Sequence, residues 1–188
     1  MKGWQILTQP VGPDDHSRGP EDAPITLVEY GDYECPECRL AYLILADVLS
    51  EVGDSVRFVF RNFPVRNEHP HAMVAAEAAE SVAALGGDDA FWNMHDLLFE
   101  NQDALQHDDL MEYAAASGVD PIAVADDLST TARMGRVERD LRSGKRSGVR
   151  HPPTFFVNGR RFEGDWTDPI ALADALHDGT RGHTYTAH

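Results

Sequence analysis

Lysine is almost absent from this chain. Lys2 and Lys145 are the only lysines among 16 Lys and Arg residues, which stand against 32 Asp and Glu residues and leave a formal net charge of −16. Such a charge repels phosphate groups and argues against nucleic acid and anionic lipid as partners. A salt-rich cytoplasm explains this acidic, lysine-poor composition, and a GC-rich genome that encodes Arg in place of Lys explains it equally well.

Long apolar runs are also absent. The sequence has no stretch of about 18 apolar residues, so we expect no insertion into a membrane. The first ten residues, Met1 to Pro10, contain one lysine and lack the apolar core of a secretory signal peptide. We therefore expect a cytoplasmic protein, although a chain from which a leader had been removed would look the same.

Cysteine is limited to one pair, Cys35 and Cys38. This pair encloses too short a loop to stabilise the fold as a structural disulfide. A tetrahedral zinc site would need two further ligands, and the chain has no second CxxC motif or His-rich hairpin. His69 and His71 are the remaining candidates for such ligands. We expect no metal site, and redox chemistry of the dithiol is the favoured interpretation.

The two cysteines lie where a predicted strand gives way to a helix. Residues 24–30 are rich in β-branched and aromatic side chains, and residues 39–49 run without a helix breaker. Pro36 suits the first helical position, which makes Cys35 the N-cap residue. There its sulfur faces unpaired N–H groups and the positive end of the helix dipole, which favour the nucleophilic thiolate. Cys38 is then the natural resolving thiol.

Glu37 stands between the cysteines and works in the opposite direction. Its carboxylate should raise the pKa of Cys35 and destabilise the reduced, thiolate form. We therefore predict a mild oxidant, less oxidising than a pair with a neutral or cationic residue at this position.

Hydrophobic patterns divide the chain into an α/β domain and a helical insertion. A strand–helix–strand unit precedes the insertion, and a hairpin at Asn158-Gly159 with a final helix follows it. Within the insertion, Gly86-Gly87 ends the first helix, and the aromatic residues from Phe91 to Phe99 form its core. The predicted boundaries are 1–23 for an extended lead-in, 24–64 and 148–178 for the α/β domain, 65–147 for the insertion, and 179–188 for a flexible tail.

Several motifs, agreeing in order, resemble a known family. They are Arg18–Pro24 (RGPEDAP), Val28–Cys38 (VEYGDYECPEC), His69–Ala72 (HPHA), Phe91–Phe99 (FWNMHDLLF) and Gly148–Gly159 (GVRHPPTFFVNG). From about Arg18 to Leu176 the chain looks like the DsbA branch of the thioredoxin superfamily, and is similar to soluble DsbA-like domains that occur alone or fused behind sodium/proton antiporters. The resemblance implies an α/β thioredoxin fold, in which helices flank a central mixed β-sheet and an all-helical insertion separates the βαβ half from the C-terminal ββα half.

The resemblance also implies roles for individual residues. Cys35 matches the nucleophile and Cys38 the resolving thiol. Pro153 matches the cis-proline that packs against the disulfide and shapes the substrate groove. Glu29 matches a buried carboxylate that moves protons to the resolving thiol, and its alternative is a carboxylate on the solvent side of an edge strand.

Pro152 departs from the family pattern. The family usually carries Thr or Val there, and the N–H of that residue bonds an extended substrate. Proline has no N–H, so we expect weaker peptide binding or a preference for small disulfides. Arg150 and His151, beside this loop, either offset Glu37 electrostatically or are simply solvated. The groove residues expected besides Pro153 are Pro36, Glu37, His151 and Pro152.

Together these features predict a cytoplasmic thiol-disulfide oxidoreductase that needs no cofactor, because the dithiol carries the electrons. Its expected partners are disulfide- or thiol-containing proteins or small molecules, and a thiol electron donor. A reducing cytosol favours reduction or isomerisation over disulfide introduction. Two alternatives stay open: a metal-binding or metal-chaperone module that uses the two cysteines, and a non-catalytic thioredoxin-like module that binds peptides.

Overall fold

The computed structural model describes residues 5–181 of the chain. Its contacts divide the chain into two compact units, here called the sheet unit and the helical unit. The sheet unit holds the described residues up to Tyr30, Leu40–Arg61, and the described residues from Ser143 onward. The helical unit holds Gly31–Arg39 and Asn62–Arg142, and therefore both cysteines. The domain boundaries predicted from the sequence stay a prediction.

Five strands form one mixed sheet. They are β1 (His16–Arg18), β2 (Ile25–Gly31), β3 (Val56–Asn62), β4 (Thr154–Val157) and β5 (Arg160–Arg161). Their order across the sheet is β1-β3-β2-β4-β5, with β1 antiparallel to β3, and β4 antiparallel to β2 and β5. The central strands β2 and β3 are buried along nearly their whole length, which explains why apolar residues occur at adjacent positions in both rather than strictly alternating with polar ones.

The helices follow the predicted pattern. They are α1 (Pro36–Val52), α2 (Ala72–Glu100), α3 (His107–Ala116), α4 (Pro121–Ser129), α5 (Met134–Arg146) and α6 (Pro169–Arg181). In the helical unit α2, α3 and α4 pack against one another, and in the sheet unit α6 packs against β4. The expected α/β fold with a helical insertion is confirmed. No helix within residues 5–181 is long and apolar enough to cross a membrane.

Helix α2 is interrupted at Gly87, where φ is 81° and ψ is −170°. A positive φ of this size favours glycine, so the break falls where the sequence predicts it. The helical segments on its two sides follow each other directly, without a separate loop. At the other predicted turn, Asn158 and Gly159 have φ values of 47° and 77°, as in a two-residue hairpin turn.

The N-terminal lead-in is more ordered than the sequence indicated. Its residues His16–Arg18 form β1 and pair with β3 at the sheet edge. A three-residue strand is too short to leave a periodic pattern, so the prediction of a lead-in with little structure is corrected here. At the other end, α6 continues to Arg181, beyond the predicted end at Leu176. The predicted lead-in and tail also include residues 1–4 and 182–188, which lie outside the described residues.

A buried arginine anchors this lead-in to the sheet. The fully buried side chain of Arg61, on β3, donates to both carboxylate oxygens of Asp15 over 2.8 and 2.9 Å. It also donates to the carbonyl oxygens of Gln9 and Pro10 and to the hydroxyl of Tyr30. Because a buried guanidinium is costly unless it is paired and hydrogen-bonded, this network determines the path of the lead-in.

Candidate active site

The dithiol lies at the start of α1. Pro36 is the first residue of the helix, and the carbonyl oxygen of Cys35 accepts the N–H of Arg39 over 3.2 Å, as an N-cap residue does. The predicted position at a strand-to-helix boundary is therefore confirmed. Both cysteines are buried; Cys35 is 2% exposed and Cys38 is 0% exposed. Cys35 is thus the slightly more accessible of the two.

The surroundings of Cys35 lower its pKa from 9.0 to about 7. The largest cause is the side-chain hydrogen bond with Cys38, which burial partly opposes. The backbone N–H groups of Cys38 and Glu37 lower the pKa further, while the negative charge of Asp32 raises it. A thiol of this pKa is a substantial fraction thiolate at neutral pH, as a nucleophile requires.

Glu37 acts on Cys35 in two ways. The thiol of Cys35 donates to Oε2 of Glu37 over 3.7 Å, a bond that needs the protonated sulfur and so favours the neutral form. The backbone N–H of Glu37 favours the thiolate instead. The nearby charge that raises the Cys35 pKa belongs to Asp32. The predicted effect of the Glu37 carboxylate stays a prediction.

Asp32 contacts both cysteines through its backbone. Its N–H donates to Sγ of Cys38 over 3.4 Å, and its carbonyl oxygen accepts the N–H of Cys35 over 3.2 Å. Its buried carboxylate accepts the N–H groups of Glu34 and Val65, each over 2.8 Å. Sequence reasoning missed Asp32, for which the only signal was an acidic residue directly after a buried strand and three positions before the nucleophile.

His69 and His71 bond carboxylates of the loop that precedes α1. Nδ1 of His69 donates to Oδ2 of Asp32 over 2.8 Å, and Nδ1 of His71 donates to Oε1 of Glu34 over 2.9 Å. Among residues 5–181, no group of three or more His, Cys, Asp or Glu side chains is arranged to hold a metal ion. In this structure the two histidines are therefore partners of carboxylates rather than of the cysteine sulfurs.

The insertion contacts the same loop at two further points. The Tyr33 hydroxyl is hydrogen-bonded to Nδ1 of His95 at 3.1 Å, and its ring lies 5.0 Å from that of Phe99. The Gln102 side chain donates to the carbonyl oxygens of Tyr33 and Cys35 over 2.9 and 2.8 Å. His95 and Phe99 are both buried, and Phe99 is one of the aromatic residues predicted for the insertion core. Gln102 was not singled out from the sequence.

A polar cavity of about 300 Å³ opens beside the start of α1. Pro36, one of the predicted groove residues, contributes to its wall together with Glu34, Gln102 and Gln106. A cavity of this size holds a side chain or a small ligand.

The other predicted site residues lie in the sheet unit. Glu29 is 2% exposed and sits on β2, a central strand, so the alternative of a solvent-facing carboxylate on an edge strand is wrong. The peptide bond between Pro152 and Pro153 is cis. His151 is exposed, and its carbonyl oxygen accepts the Thr154 hydroxyl over 2.7 Å. The roles expected for these residues stay predictions.

Comparison with known proteins gives matches over most of the chain. A family model described as Thioredoxin matches residues 12–173. Among curated proteins, the Na(+)/H(+) antiporter NhaA 3 of Salinispora tropica is 45% identical over 161 residues, which is 85% of this chain. Those residues make up 24% of the antiporter, so the chain spans about a quarter of the length of this relative.

Two solved structures illustrate the structural similarity. Oxidised BdbD from Bacillus subtilis superposes with a TM-score of 0.82 at 27% identity, and the match covers 94% of this chain and 98% of BdbD. DsbA2 from Pseudomonas aeruginosa gives a TM-score of 0.70 at 23% identity, covering 89% and 95% of the two chains, and supports the fold alone.

Proposed function

This chain belongs to the thioredoxin family, and we propose that it is a DsbA-like thiol-disulfide oxidoreductase that exchanges disulfides with protein or small-molecule substrates. The reactive pair is Cys35-Pro36-Glu37-Cys38. The observation that carries the proposal is the position of Cys35 at the start of α1, beside Cys38, with a pKa of about 7. A thiolate is the attacking species in disulfide exchange, so this pKa suits the nucleophile.

The reaction consists of two exchanges. The Cys35 thiolate attacks one sulfur of the substrate disulfide; that S–S bond breaks, a mixed disulfide forms, and the other substrate sulfur leaves as a thiolate and takes up a proton. Cys38 then loses its proton and attacks Sγ of Cys35, which expels the second substrate thiolate. The pair ends as a disulfide after passing two electrons to the substrate, and a thiol donor reduces it again.

We assign the net direction to reduction or isomerisation rather than to strong oxidation. In strongly oxidising members of this fold the nucleophile has a pKa near about 3.5, whereas in thioredoxin it is near about 7. The Cys35 pKa of about 7 falls at the thioredoxin end. The charge of Asp32 and the thiol bond to Glu37 both act against the thiolate, and they support the same direction.

Four further roles complete the proposal. Glu29 moves protons to and from the resolving thiol, and its burial supports this role because a buried carboxyl exchanges protons with neighbouring groups rather than with bulk water. Pro153 shapes the substrate groove together with Pro152. The remaining groove residues contact substrate, and their exposure supports that contact; they are Pro36, Glu37 and His151. The cytoplasm is the proposed compartment, as expected from the sequence.

The test is the redox equilibrium of the pair in glutathione buffers, at low and at high salt, read by thiol alkylation. A potential near about −270 mV is expected for a reductase or isomerase. A potential near about −120 mV would overturn the proposed direction. Failure of the wild-type chain to exchange disulfides with glutathione at all would overturn the function itself, and Cys35→Ser provides the inactive reference.

A further inference from the structure

Asp32 holds both sulfur-bearing residues at once. Its backbone N–H reaches Sγ of Cys38 over 3.4 Å, while its carbonyl oxygen accepts the N–H of Cys35 over 3.2 Å. A displacement of Asp32 would therefore move both members of the dithiol. The carboxylate of the same residue is 0% exposed, so its charge is felt by its neighbours with little screening by water.

The buried carboxylate of Asp32 needs hydrogen-bond donors and a positive charge beside it to replace the water it has lost. Two backbone N–H groups, those of Glu34 and Val65, donate to it, and Nδ1 of His69 donates to Oδ2 over 2.8 Å. His69 is the partner that can also carry a positive charge. A buried carboxylate that loses such a partner is strongly destabilised, and its uncancelled charge then acts more strongly on Cys35.

The electrostatics agree with this geometry. The negative charge of Asp32 raises the Cys35 pKa. Burial lowers the pKa of His69, but the hydrogen bond to Asp32 and the charges of Asp32, Cys35 and Glu34 outweigh it and raise this pKa above 6.5. The charges that raise the His69 pKa are those of Asp32, Cys35 and Glu34, so the Cys35 thiolate is one of them.

We propose that Asp32 and His69 form a positioning pair for the dithiol. Asp32 holds both cysteines in place through its backbone. The imidazolium of His69 cancels the charge of Asp32 and thereby favours the Cys35 thiolate. This inference rests on the proposed redox role of the pair. Neither residue touches the substrate sulfurs; both act through the cysteines. His69, which the sequence offered only as a candidate metal ligand, thereby gains a role beside the dithiol.

The first test is the pH dependence of Cys35 alkylation by iodoacetamide in the full reduced chain. His69→Asn keeps a donor near the position of Nδ1 but removes the charge. We expect alkylation at about pH 7 to slow about five-fold, which corresponds to a rise of about one unit in the Cys35 pKa. The control is His71→Asn, which removes the neighbouring bond to Glu34 and should alter the rate less than about two-fold.

A merely structural role predicts a different result. If His69→Asn alkylates like the wild type while His69→Ala is slow, the hydrogen bond suffices and the charge plays no part, which overturns the proposal. Wild-type rates in both variants overturn it as well. Alkylation reports the thiolate without any substrate, so this outcome is independent of whether the chain exchanges disulfides as proposed.

A second test uses the wild-type chain alone, so it does not depend on whether a variant folds. Because coupling between two sites is reciprocal, the Cys35 thiolate should hold the proton on His69 as firmly as His69 favours the thiolate. NMR titration of the His69 ring in the dithiol and disulfide forms should give a lower pKa in the disulfide form, where the thiolate is gone. Equal His69 pKa values in the two forms overturn the proposal.

Discussion

The Gln102 side chain donates to the backbone carbonyl oxygen of Cys35 over 2.8 Å, across 67 residues of sequence. The same amide nitrogen donates to the carbonyl oxygen of Tyr33 over 2.9 Å. One residue of the segment that follows α2 therefore secures the backbone on which the nucleophile sits. The insertion thus contributes to the active site, and does more than enlarge the fold.

Replacement of Gln102 tests this contribution. In Gln102→Ala two carbonyl oxygens lose a donor, and we expect the free energy of unfolding to fall by about 1–3 kcal/mol. The measurement is urea unfolding of the reduced protein. Asn101→Ala is the matched control, since its exposed amide donates to Leu97 in the last turn of α2, and it should cost less than about 0.5 kcal/mol. Equal losses in the two variants would contradict the proposed anchoring.

The two cysteines should behave differently when replaced. Cys38→Ser retains the nucleophile but cannot resolve the mixed disulfide, so it should accumulate a covalent adduct with glutathione or a model disulfide substrate. Cys35→Ser should form none, because the sulfur of Cys38 is completely buried. Mass spectrometry under non-reducing conditions measures both. A Cys38-linked adduct in Cys35→Ser would reverse the assigned roles.

The contribution of Cys35 to the stability of the reduced protein should grow as pH rises through the neutral range. The Cys35 pKa is about 7 in the folded chain, below its ordinary value of 9.0, so folding favours the thiolate. This contribution is absent well below about pH 7, grows between about pH 7 and about pH 9, and is complete above that range. The difference in unfolding free energy between wild type and Cys35→Ser measures it. A difference that does not change with pH would contradict the lowered pKa.

Glu37→Gln should make the pair more oxidising. The change removes the carboxylate that accepts the Cys35 thiol and leaves the helix start intact, so the thiolate and hence the reduced form gain stability. We expect the Cys35 alkylation midpoint to fall below about 7 and the glutathione equilibrium to shift toward the dithiol. Glu51→Gln, an exposed change near the other end of α1, is the control. An unchanged potential in Glu37→Gln would mean that its backbone N–H is its main influence.

Arg61→Met should unfold the protein far more readily than a surface arginine change. It leaves the buried carboxylate of Asp15 without its guanidinium partner, which costs about 3–5 kcal/mol in comparable buried pairs. Arg18→Met, at an exposed position of the edge strand β1, should stay within about 0.5 kcal/mol. Chemical unfolding measures both. Similar values would show that the Arg61 network adds little to stability.

Features that depend on neighbouring residues could be predicted from the sequence. The position of Cys35 before Pro36 follows from strand and helix propensities over a few residues on each side. The hairpin at Asn158-Gly159 and the break at Gly87 follow from the positive φ that these residues tolerate. The apolar content of β2 and β3 likewise predicted two buried strands, and the sheet contains both.

The sequence by itself therefore determined where the thiols stand and which local structure surrounds them, because those signals act between residues close in the chain. Only the tertiary structure decided which distant side chains bond the carboxylate of Asp32 and the backbone of Cys35. His69 lies 37 residues from Asp32, and Gln102 lies 67 residues from Cys35. No periodic pattern or short motif encodes such pairings, because they form only when packing brings distant segments together and a buried charge or carbonyl must be satisfied by whatever donor lies there.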